Sequence, residues 1–268
     1  MMIFIATSSA RAEGKDSWDI IRENGLPSGR SYEVSSGTGF FVAPGYVISN
    51  EHVVENCLTI SLRGAVDPVS AELIAKDKDE DLALLKTTAL SKENATLRDN
   101  EGLKTEDQVY IIGYPLEHAR DGKYSVAHAQ IVDFQESLQT AKQIEFTAAI
   151  EHGNSGGPLI DNAGNVIGVV QAKKKYFHQL GEGKDAVVEA DPYKVDGVAI
   201  GLSLLEEFLN KNGINYKTSN SSDIFVNFQP ESKAKDYVVN IHCVQNQTEK
   251  NATNLVGEIV EDFNTDYK

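Results

Sequence analysis

From about residue 31 onward the chain is a succession of short runs rich in β-branched and aromatic residues, each closed by turn-forming residues. They read GTGFFVAPGYVISN, CLTISLRG, AELIAKD, DLALLKTT, QVYIIGYP, YSVAHAQIVDF, QIEFTAAI, PLIDNAGNVIGVVQAK and VDGVAIGLS. That pattern argues for an antiparallel, all-β core, and the spacing suits a barrel or a sandwich. The first run, Gly37 to Asn50, reads as a hairpin turning at Pro44-Gly45. Helical signals are few. SLLEEFLNKNG, Ser203 to Gly213, places Leu204, Leu205, Phe208 and Leu209 on one face between a serine start and a glycine stop, and SWDIIRENG is a second short candidate. After Ile214 the composition turns polar, with the apolar runs DIFVNF, DYVVNIHCV and NLVGEIV suggesting a small appended sheet.

Composition narrows the partners. The 268 residues carry 25 Lys and Arg against 40 Asp and Glu, a formal net charge of −15 that repels polyphosphate and anionic membrane surfaces. Nucleic acid is therefore excluded as an expected partner. No apolar run approaches the roughly 18 residues of a transmembrane helix. Met2 to Ala6 is a short apolar patch, and Ala10-Arg11-Ala12 has the small-x-small form of a signal cleavage site. Residues 1–12 are thus read as a signal peptide remnant, which favours a periplasmic or secreted protein. Cys57 and Cys243 allow one internal disulfide, and their wide separation does not decide whether it forms. No Cys/His cluster has zinc-ligand spacing, so no metal or other cofactor is expected.

The chemistry concentrates in HGNSGGPLIDNAG, His152 to Gly164. Gly153, Gly156 and Gly157 surround one hydroxyl, Ser155, where glycine signals unusual backbone angles or a close approach of another chain. In the functional reading the amides of Gly153 and Ser155 form an oxyanion hole. A serine hydroxyl near neutral pH needs an adjacent base, itself oriented by a third group. Among the six histidines, His52 follows the hairpin directly, in ISNEHVVENC, where a short turn of helix would hold it at a cleft. In KDKDEDLALLK, Asp81 abuts an apolar strand that would bury its carboxylate, and an imidazole N–H is a natural donor to it. The order His, Asp, Ser differs from that of α/β-hydrolases, whose partners follow the nucleophile.

With these residues in view, the sequence resembles a trypsin-like serine protease of the HtrA/Deg type. The resemblance lies in GTGFFVAPGYVISNEHVV, DLALLK, AAIEHGNSGGPLIDNAGNVIGVV and VAIGLSL, collinear from about Gly37 to Leu209. It implies two six-stranded antiparallel β-barrels with the active site between them, His52 and Asp81 from the first and Ser155 from the second. It also implies that Ala149 and Ile150 line the primary specificity pocket. With no carboxylate there, cleavage is expected after small or medium aliphatic residues of protein or peptide substrates. Asn154 stands where digestive relatives carry an aspartate, so activation by ion pairing with a new N-terminus is not supported. HtrA-type relatives are commonly trimers, which makes a homo-oligomer one expectation.

The organisation that follows is an N-terminal extension over 13–36, a protease domain over 37–213 with the barrel boundary near 120, and a small C-terminal segment over 214–268. The segment is too short for the PDZ domain that HtrA-type enzymes usually carry. Residues 173–194 read as an enlarged loop at the substrate rim. Two other readings stay open: a non-catalytic peptide-binding module on the same fold, and an esterase using the same triad.

Overall fold

The computed structural model describes residues 25–26, 31–99, 103–115, 122–134, 142–148, 151–180, 187–219 and 235–246, with the backbone alone for 172–180 and 187–196. In chain order the first elements are β1 (Tyr32–Ala43), β2 (Tyr46–Ser49), α1 (Glu51–Val54), β3 (Thr59–Gly64), β4 (Val69–Asp77), β5 (Leu82–Thr87), β6 (Thr96–Arg98) and β7 (Gln108–Gly113). There follow β8 (Ser125–Phe134), β9 (Gln143–Thr147), β10 (Pro158–Asp161), β11 (Val166–Leu180), β12 (Val187–Gly201), α2 (Leu202–Lys211), β13 (Lys217–Ser219) and β14 (Val238–Asn246).

These strands close two six-stranded antiparallel barrels. The first runs β1-β14-β3-β4-β5-β2, and the second runs β10-β7-β8-β9-β12-β11 and returns to β10. The expected hairpin is β1 and β2, with Gly45 at φ 79° in its turn, a left-handed conformation that glycine takes without a steric penalty. From Gly37 to Ala43 every residue of β1 is buried, which is why GTGFFVA lacks the polar alternation of a strand with one wet face. The expected helix is α2, with Leu205, Phe208 and Leu209 buried. β6 continues the second barrel by pairing in parallel with β11 and β13. It is fixed by the buried Arg98, whose guanidinium lies 2.5 Å from the Asp161 carboxylate at the end of β10. Asp161 also accepts the amides of Ala163 and Asn165, so the same carboxylate closes the turn that leads into β11.

Two expectations are corrected. DYVVNIHCV does not belong to an appended sheet: as β14 it lies between β1 and β3, from Tyr32↔Asn246 to Phe40↔Val238 on one side and from Val239↔Gly64 to Val244↔Thr59 on the other. Paired on both edges, β14 is buried at eight of its nine residues, the polar Asn240, His242 and Asn246 among them. Cys243 on β14 is joined to Cys57, just after α1, by a disulfide. The stretch 173–194 is not a loose loop either. Its described residues, 173–180 and 187–194, belong to β11 and β12, which pair from Lys173↔Gly197 out to Leu180↔Val187 as an antiparallel ribbon. DIFVNF, NLVGEIV and most of SWDIIRENG lie outside the described residues, as do Ala149 and Ile150.

Candidate active site

α1 is a single turn, and a helix that short cannot satisfy its own first amides. Its N-cap residue, Asn50, makes no capping hydrogen bond to it. Asp81 takes that part from across the chain. Its main-chain oxygen accepts from the Glu51 amide at 3.2 Å and from Asn50 Nδ2 at 3.0 Å, and its Oδ1 accepts from the His52 amide at 3.0 Å. Asp81 itself sits at φ 55°, unusual for a residue with a side chain, at the entrance to β5. The many bonds to its backbone and carboxylate hold that conformation.

The same carboxylate receives the imidazole. His52 Nδ1 lies 2.8 Å from Oδ2 and 3.1 Å from Oδ1, with the His52 side chain 48% exposed and that of Asp81 14%. Burial pushes the Asp81 carboxyl up. The hydrogen bonds from the His52 ring and main chain, the imidazole charge and a bond from Gln171 together outweigh it, so the carboxyl titrates below its ordinary value. The carboxylate is therefore ionised at neutral pH and fixes the ring so that Nδ1 faces Asp81 and Nε2 faces away.

Gln171, which directly follows AAIEHGNSGGPLIDNAGNVIGVV, ties this pair to the serine. Its Nε2 donates to Asp81 Oδ2 at 3.1 Å, and its main-chain oxygen accepts from the Ser155 hydroxyl at 3.1 Å. The residue lies in β11, directly after the buried run Val166 to Val170. A polar side chain directly after the apolar run VIGVV is the one signal of it that the sequence carries. Thus His52, Asp81 and Ser155 are brought together across the two barrels, with Gln171 in contact with the carboxylate and the hydroxyl.

The glycines around Ser155 have separate reasons. Gly153 is at φ 103° and Gly156 at φ 84°, both in the region that favours glycine. A Cβ at Gly156 would also overlap the Thr38 carbonyl and the Ser49 hydroxyl, so the second barrel's loop presses directly on β1 and the end of β2. That close approach is to the protein's own chain, where the sequence suggested only an approaching substrate. Asn154 is buried, whereas Glu151 and His152 are exposed. The Asn154 amide donates to the Glu151 carbonyl, and the Gly157 amide donates to the Asn154 carbonyl at 3.0 Å. A trans peptide points its C=O and N–H in opposite directions, so the Ser155 amide faces away from Gly157. Among the described residues neither the Gly153 nor the Ser155 amide donates to another backbone group.

Two antiparallel six-stranded barrels, with a histidine and a carboxylate from one linked through Gln171 to a serine of the other, define the class of trypsin-like peptidases. Residues 37–169 match the trypsin-like peptidase domain family. Within that class the chain is similar to proteases of the HtrA/DegP type. It is 35% identical over 158 residues to a probable periplasmic DegP-like serine endoprotease of Chlamydia pneumoniae, covering 54% of this chain and 31% of that one. It is 31% identical over 213 residues to the uncharacterized protein y4bJ of Sinorhizobium fredii, covering 78% of this chain and 32% of that one. The chain thus spans about a third of the length of these relatives. Among solved structures it is similar to the Rv3671c protease of M. tuberculosis in its active form, with a TM-score of 0.51 and 25% identity over 72% of this chain and 80% of that one.

Proposed function

We propose that this chain is a serine endopeptidase in which Ser155 is the nucleophile, His52 the general base and Asp81 the group that orients and charges the imidazole. The observation that carries the reading is the His52 Nδ1 to Asp81 contact at 2.8 Å, linked through Gln171 to the Ser155 hydroxyl. The serine hydroxyl rests on the Gln171 carbonyl, so attack begins with a rotation about its χ1 that turns Oγ toward His52 Nε2. His52 then takes the proton as Oγ adds to the scissile carbonyl, and returns it to the leaving amine. The amides of Gly153 and Ser155 receive the oxyanion. Water enters against the acyl-enzyme by the same proton route in reverse.

The family likeness assigns Ala149 and Ile150 to the primary pocket, and the absence of a carboxylate in that pair favours small or medium aliphatic residues before the cut. The substrates are proteins in unfolded or damaged form. The relatives named periplasmic support an exported location, and among the described residues no helix is long and apolar enough to cross a membrane. A homotrimer is the assembly that the family likeness suggests.

The test is incubation with unfolded casein beside Ser155→Ala, mapping the cuts by mass spectrometry and reading nucleophile reactivity with a fluorophosphonate probe. Cleavage after Val, Ala or Ile that disappears in Ser155→Ala is the expected result. Hydrolysis of a small activated ester without cleavage of casein would establish the esterase reading instead. Neither labelling nor hydrolysis would leave a resting enzyme that awaits a trigger or a binding module, and would favour the second.

A further inference from the structure

Thr38, fully buried in β1, uses every polar atom it has at the seam between the barrels. Its Oγ1 donates to the Gly153 carbonyl at 2.6 Å and accepts from the Tyr114 amide at 2.9 Å. Its own amide donates to the Ser155 carbonyl at 2.9 Å, and its carbonyl accepts from the Ser49 hydroxyl at 2.7 Å. One residue of the first barrel therefore grips the second barrel's serine loop at both residues whose amides are assigned to the oxyanion. Nothing else among the described residues of that loop is held from the first barrel so directly.

Thr38 fixes the peptides that flank the two amides, Gly153–Asn154 beside the Gly153 N–H and Ser155–Gly156 beside the Ser155 N–H. The peptide between Gly153 and Asn154 is held at both ends, its carbonyl by the Thr38 hydroxyl and its N–H by the Glu151 carbonyl at 3.2 Å. The Ser155 residue is held through its carbonyl by Thr38, and its amide is turned outward because the Asn154 carbonyl faces Gly157. Space around Thr38 is closed. A Cβ at Gly113 would come to 3.0 Å from Oγ1, and one at Gly157 to 3.1 Å from Cγ2. The hydroxyl is thus confined to one rotamer, donating in one direction and accepting in the other.

Resting on the peptidase reading above, we propose that Thr38 is a positioning residue that presets the Gly153 and Ser155 amides for the oxyanion, coupling the first barrel to a charge that develops on the second. It touches no reacting atom. Because a preset donor acts on the transition state, its loss lowers kcat and the acylation rate while leaving substrate binding nearly unchanged.

The experiment compares Thr38→Val, Thr38→Ser and Thr38→Ala with the wild-type chain. Competent sites are counted by end-point fluorophosphonate labelling, and kcat and KM are measured per labelled site on a peptide ester with Val before the scissile bond. Labelling rate and melting temperature are read in parallel. The expected result is a kcat and a labelling rate reduced by roughly 30- to 100-fold in Thr38→Val, a KM within about threefold, and recovery to within about threefold in Thr38→Ser. Thr38→Ser and Thr38→Ala differ by one oxygen atom and both lack the methyl group, so they decide the matter where Thr38→Val does not fold. Equal kcat per labelled site in that pair, or a kcat in Thr38→Val within threefold of wild type, would overturn the proposal. A wild-type chain that neither labels nor hydrolyses the ester would overturn the peptidase reading, and this one with it.

Discussion

Asp81 holds His52 at two points, by the ring, with Nδ1 2.8 Å from Oδ2, and by the main chain, with the amide 3.0 Å from Oδ1. One carboxylate thus caps the helical turn that carries the imidazole and sets the imidazole's tautomer. Removing the charge while keeping the shape separates these two parts. In Asp81→Asn the amide side chain can still accept from the His52 main chain through its oxygen, but the nitrogen then faces Nδ1 and favours the wrong tautomer. The expected loss in kcat is roughly 10^4-fold, the scale of this substitution in Ser-His-Asp enzymes. Because the folded chain holds the Asp81 carboxyl below its ordinary 3.8, its stabilising effect is complete above that value and is lost as pH falls below it. Thermal melting from pH 5 to pH 2 checks this: Asp81→Asn should show a shallower decline than the wild type.

Gln171 provides a narrower prediction, because its side chain and its carbonyl do different things. Gln171→Ala leaves the carbonyl that accepts from Ser155 and deletes only the donor to Asp81. Asp81 keeps its bonds from His52, so the change costs less than loss of the carboxylate. A fall in kcat of about tenfold with KM within threefold is expected, the equivalent of about 1.4 kcal/mol and close to the lower end of the range for hydrogen bonds to a charged group. Steady-state kinetics on a small ester would decide it, and an unchanged kcat would remove Gln171 from the positioning of Asp81.

How much of this was legible in the chain depended on whether the signal was local. The β1–β2 hairpin, α2 and the triad candidates announce themselves within a dozen residues, through turn glycines, helical periodicity and a serine crowded by small residues. The place of β14 is not local, since its partners β1 and β3 are set by pairing far away in sequence. Its alternation of Val239, Ile241 and Cys243 with Asn240 and His242 reads as a strand with one wet face, and only the pairing on both edges buries the polar residues too. Gln171 and Thr38 were invisible for a different reason. Each is a common polar residue inside a long strand, and only the barrel seam gives it a partner.

The disulfide between Cys57 and Cys243 links α1's exit to the strand that completes the first barrel. The same junction has hydrogen bonds from the Leu58 amide to the Val244 carbonyl and from Gln245 Nε2 to the Glu55 carbonyl, each at 2.7 Å. The bond closes a sequence separation of 186 residues, for which chain-entropy reasoning gives at most about 5 kcal/mol. Reduction, or Cys57→Ser with Cys243→Ser, should lower the melting temperature by roughly 10 °C. Activity should fall at temperatures below the wild-type melt, because the turn bearing His52 loses its tether to β14. Differential scanning fluorimetry and ester hydrolysis with and without a phosphine reductant measure both. Coincident melts in the two redox states would show that the hydrogen-bonded strand holds without the bridge.

His242, on β14, carries the clearest pH signature away from the site. Its side chain is buried opposite Ser36 and Ser61 in the strand register, and burial, aided by the nearby Arg63 charge, lowers its pKa from the ordinary 6.5 to about 4. The unfolded chain therefore binds a proton between those values that the folded chain refuses. Folding stability is then fully present above pH 6.5 and declines as pH falls toward 4, where the folded histidine also protonates and the loss levels off. The size of the decline is on the order of 3 kcal/mol, since each tenfold difference in proton affinity corresponds to about 1.4 kcal/mol. His242→Gln has no proton to take up and should show a flatter melting temperature across pH 4 to 7 than the wild type. Equal slopes in the two proteins would mean that this histidine is not the group that destabilises the first barrel in acid.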